Sequence, residues 1–158
     1  MGYTHYWEQP KDIPQETWNS KVMPAVGMLI QEAEAGGLRL GDGFGANTEA
    51  KLVTENTICF NGSEECNEAY ETFRVEREAD SRNPKGFNCC KTQYRPYDKL
   101  VVAVLMTVTA VVNDKSVFNW YSDGSAAEGD FDAACRLICK TLGEDFNALA
   151  TELATQKT

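Results

Sequence analysis

Polar and apolar positions alternate from the start of the chain: Tyr3, His5 and Trp7 fall on one side of residues 2–8, and Thr4, Tyr6 and Glu8 on the other. A period of two predicts a short strand. A helical segment follows, in which Asp12 with Gln15 fits a capping box, Pro14 sits in the first turn and Gly36-Gly37 supplies the stop. Pro24, inside that segment, predicts a kink. Residues 41–50, GDGFGANTEA, read as a hairpin turn or surface loop, since they lack the lysine and hydroxyl with which a glycine-rich loop grips phosphate. Strand-like runs follow at 51–54, 57–61, 71–77 and 87–92, with SRNPKG at 81–86 as the loop between the last two. They predict an antiparallel meander.

A second helix is predicted from Pro96 to about Val112. It is apolar on nearly every face, which marks it as the central buried helix, and Asp98 lies in its first turn, where the helix dipole favours a carboxylate. Residues 116–124, SVFNWYSDG, alternate again and close on the turn-forming pair Asp123-Gly124. A further helix runs from Asp130 as N-cap to Leu142, Gly143 follows it, and 145–155 adds a short terminal helix. The expected class is α+β: a mostly antiparallel sheet with a central buried helix and two flanking helices. A length of 158 residues fits one domain spanning 1–158.

Composition narrows the function classes. Hydrophobic residues at 42% and charged residues at 25% are those of a globular chain rather than a disordered one. The longest apolar run, 100–112, is interrupted by threonines and falls short of the roughly 20 residues of a membrane span. The N-terminus lacks the basic and apolar stretches of a secretory signal, so a cytoplasmic location and no membrane partner are expected. A net charge of −9, with basic residues scattered, argues against nucleic acid as a partner and fits a role in solubility.

The six cysteines, Cys59, Cys66, Cys89, Cys90, Cys135 and Cys139, include no CxxC pair. Cys135 and Cys139 share one helix face, as two zinc ligands or two buried apolar side chains would. Reduced core cysteines, with no metal and no cofactor, are the expectation, and Cys89 and Cys90 are placed in the core.

Four polar stretches fall at element ends, where side chains converge on pockets: Tyr3-His5-Trp7, Lys91-Thr92, Tyr97-Asp98 and Ser122-Asp123-Gly124. His5, the only histidine, is a candidate general base or ligand contact, and equally a strand histidine bonded to a neighbour. Tyr3 and Trp7 offer faces to a planar ligand or form the inner side of a half-buried strand. Lys91 is positioned to meet an anionic ligand, to pair with Asp98 or Asp123, or to remain solvated. Asp98 is also explained as a dipole carboxylate and Asp123 as a turn residue. No GxSxG, HExxH, EF-hand or GxGxxG pattern is present.

The opening GYTHYW, CKT at 90–92, PYD at 96–98 and SDG at 122–124 resemble a group of small uncharacterised proteins of bacteria and tailed phages that carry these motifs in the same order. The resemblance covers roughly residues 2–143. It implies that the four stretches belong together and that a virus or mobile element is a plausible source, with the host cytoplasm as the location if the protein is phage-encoded; it carries no activity. The expectation is a protein binding a small polar, nucleotide-like molecule in a pocket of Tyr3, His5, Trp7, Lys91, Tyr97, Asp98 and Asp123, with sequestration of a host signalling nucleotide as its role. The alternatives are a small hydrolase or transferase using His5 or Lys91 with Asp98 or Asp123, and an accessory of a virion or host complex. The sequence leaves a homo-oligomer open.

Overall fold

A computed structural model describes residues 3–46, 50–122 and 129–155. The chain is α+β, with two three-stranded antiparallel sheets and a group of packed helices. Strand β1 (Thr4–Glu8) is the centre of the first sheet, between β5 (Phe87–Lys91) and β6 (Asn119–Ser122). The expected meander is thus divided. Strands β2 (Leu40–Gly41), β3 (Thr57–Gly62) and β4 (Phe73–Glu76) form a separate sheet in sequence order.

The division follows from side-chain alternation. In the second sheet Ile58 lies opposite Val75 and Phe60 opposite Phe73, and all four are buried. Trp7, on the inner face of β1, meets Phe73 edge-on at 5.4 Å and so joins the two sheets through their apolar faces. The expected strand at 51–54 is reduced to one bridge, Val53 to Ile58, because the chain turns back at once through the Thr54 N–H to Thr57 O bond of 2.8 Å.

The first helical segment is continuous but mixed: α1 (Gln15–Thr17), a π-helical turn (Trp18–Val22) and α2 (Met23–Ala35). Pro24 explains the change. It has no N–H to give to the carbonyl four residues back and its ring crowds that carbonyl, so the preceding turn widens and the Met23 N–H reaches Trp18 O, five residues back. The capping box does not form; Asp12 Oδ1 instead accepts the Ala79 N–H at 2.7 Å.

Helix α3 (Asp98–Val112) is the central buried helix, with every residue from Leu100 to Ala110 inside the core. It ends where Asn113 adopts φ of 50° and its N–H bonds Thr109 O at 2.9 Å, an αL cap that asparagine tolerates. Helices α4 (Gly129–Leu142) and α5 (Glu144–Thr155) pack against it, divided by Gly143 at φ 100°. Among the described residues no helix is long and apolar enough to cross a membrane.

Candidate functional site

The first strand ladder sets His5 opposite Cys90 on one side and Ser122 on the other. Beyond Cys90 the ladder runs one step further, through the Thr92 N–H to Tyr3 O bond of 3.0 Å. Two tight turns then reverse the chain, closed by Arg95 N–H to Thr92 O at 3.0 Å and Asp98 N–H to Arg95 O at 2.9 Å. The reversal returns the first residue of α3 to the inner face of β1.

There Asp98 Oδ1 lies 2.5 Å from His5 Nε2, and neither side chain is accessible to solvent. The Thr92 hydroxyl donates to the same carboxylate oxygen. Two donors to Oδ1 and the positive end of the α3 dipole all favour negative charge at that position. Because Nε2 faces the carboxylate, the neutral ring carries its proton on Nε2 and its lone pair on Nδ1. His5 Nδ1 is buried and meets no hydrogen-bond partner among the described residues.

Around this centre lies a shell of aromatic and polar side chains. The Tyr3 ring stands edge-on to the His5 ring at 4.8 Å and 87°, and its own face is stacked on Tyr94 at 4.2 Å and 16°. Tyr97 precedes α3 and is buried, its hydroxyl donating to Glu71 O at 2.7 Å. The Cys90 thiol is aimed at the same carbonyl, at 3.6 Å. Burial pushes both groups far up, the phenol of Tyr97 and the thiol of Cys90, with nearby negative charge on Glu71 and Asp98 adding to the effect. This environment disfavours the thiolate that a Cys-His nucleophile requires at Cys90.

Of the residues singled out in the sequence, Tyr3, His5 and Asp98 come together, with Tyr97 next to Asp98 in the chain. Trp7 shares the inner face of β1 but is spent on Phe73; it also forms part of a cleft of about 240 Å³ with Gln9, Arg74, Glu76 and Asn88. Lys91 does not join the group. It pairs with Thr4, so alternation turns it to the face of the sheet opposite His5, and its own N–H bonds Glu71 Oε2 at 2.6 Å. Asp123 lies outside the described residues.

The sequence reading named the Lys91-Thr92 stretch but put Lys91, not Thr92, in the expected pocket, although the place of Thr92 was readable: two residues on from Cys90, it must face the same way. It also missed Tyr94 and Glu71, for which the local sequence holds no signal. The six cysteines are free, and Cys89, expected in the core, is exposed because it pairs with Tyr6 on the outer face. Among the described residues no group of three or more His, Cys, Asp or Glu side chains is placed to hold a metal ion. No protein-family model, curated protein or solved structure matches the chain.

Proposed function

We propose that the chain acts on a small polar, nucleotide-like molecule as a hydrolase or transferase, with His5 as its proton-handling group. The observation that carries this reading is the buried contact of His5 Nε2 with Asp98 Oδ1 at 2.5 Å, which leaves the other ring nitrogen for the substrate. An unpaired buried polar atom costs about 1–3 kcal/mol, a cost that a substrate hydrogen bond to Nδ1 would relieve.

In this mechanism Nδ1 takes a proton from a water or hydroxyl nucleophile as that oxygen attacks. Asp98 steadies the imidazolium so formed, and the same proton passes from Nδ1 to the leaving group. Thr92 positions Asp98 and does not touch substrate. Lys91 has no part, which separates this reading from one that relies on a lysine.

A second reading, sequestration of a signalling nucleotide without turnover, is favoured by the Tyr3 and Tyr94 rings at 4.2 Å, a stacking surface beside the histidine. It suits a phage-encoded protein of the host cytoplasm. Incubation with nucleoside mono-, di- and triphosphates, followed by denaturation and chromatography, separates the two. Product released by wild type and reduced about 10²–10⁴-fold in a folded His5→Gln variant is the result expected of an enzyme. Ligand bound and recovered intact would replace that reading with sequestration.

A further inference from the structure

The His5–Asp98 pair is sealed, yet the reading above requires a ligand beside it, so some covering side chain must give way. Tyr3 packs against the His5 ring in a T-shaped contact and is itself buried, whereas Tyr94, stacked face to face on Tyr3, is 59% exposed. Tyr94 is also held in an unfavourable way. Gln93 and Tyr94 are the two central residues of the Thr92–Arg95 turn and have φ of 50° and 58°, the signs of a type I′ turn. That turn is normally built from Asn-Gly or Gly-Gly, because residues with a larger side chain are strained at positive φ. Strain of this kind collects at ligand clamps and switches.

We propose that Tyr94 occupies the place of the ligand's planar ring: a nucleobase or similar flat heterocycle stacks on the face of Tyr3 once the strained turn relaxes and carries Tyr94 away. The exchange conserves the stacking interaction, one π-face on Tyr3 replacing another, and relief of the turn strain offsets part of the cost of opening. The polar remainder of the ligand is then directed toward His5. This deepens the proposed function, on which it rests, by naming the ligand class and the residue that excludes it.

Calorimetric titration of AMP, GMP, CMP and UMP, with ribose 5-phosphate as the ring-free control, tests the exchange on wild type, Tyr94→Ala and Tyr3→Ala. At least one base-bearing probe binds wild type and ribose 5-phosphate does not. Tyr94→Ala tightens binding about three- to tenfold, as expected when a competing closed state is removed, and Tyr3→Ala abolishes it. In ring-labelled tyrosine NMR of the wild type, the Tyr94 signals move on adding the bound probe. Equal affinity of wild type and Tyr94→Ala, or Tyr94 signals unmoved by a bound probe, overturns the exchange while the His5 turnover assay stands apart from it. Failure of every base-bearing probe to bind Tyr94→Ala overturns the ligand class.

Discussion

Two buried groups beside the dyad, Cys90 and Tyr97, make the site sensitive to alkali. Each ordinarily titrates at 9.0 or 10.0, and burial raises both in the folded chain. Above pH 9 the unfolded chain therefore releases protons that the folded chain keeps. Stability from these groups is complete below their ordinary values and is lost as pH rises beyond them, by about 1.4 kcal/mol per pH unit for each group fully in that window. Urea unfolding between pH 8 and pH 10.5 is expected to show this fall, and Cys90→Ala to make it shallower. A slope identical in the variant would mean that Cys90 is not protonated more strongly in the folded chain. The residue scale also shows what alternation conveys. Counting by twos from His5 finds Trp7, and counting from Cys90 finds Thr92 rather than Lys91; applied to β5 as it was to β1, the same rule turns the lysine outward.

At the scale of elements, β1 is the part that sequence made most legible, since a central strand buried on one face must alternate. The central helix was legible for the same kind of reason: an apolar surface on all sides has nowhere to go but inside. The turn between them was not. Residues 92–95 place Gln93 and Tyr94 at positive φ against their intrinsic preference, and a conformation imposed by the elements on either side leaves no trace in composition. The strain is measurable. Gln93 is exposed, so Gln93→Asn changes little besides the backbone preference at φ 50°, and it is expected to stabilise the fold by about 0.5–1 kcal/mol in urea unfolding. A destabilised variant would show that the turn is not strained at that residue.

For the whole molecule, the site is a product of topology. The first strand is separated by some ninety residues from the end of the fifth and the start of the central helix, and His5 reaches Asp98 only because β1 lies between β5 and β6 while two turns fold α3 back over it. Class, helices and most strands could be read locally; the split into two sheets could not, because it depends on which apolar faces Trp7 and Phe73 bring together. The separation in sequence is also why His5 had no identifiable partner before the fold was known. The central claim is that Asp98 fixes the His5 ring with its lone pair on Nδ1. As His5 is the only histidine, a single set of imidazole nitrogen signals reports on it without assignment ambiguity. Nitrogen-15 NMR of the neutral ring is expected to show the proton on Nε2 and a bare Nδ1, and to lose that single tautomer in Asp98→Ala; a neutral ring protonated on Nδ1 would contradict the account.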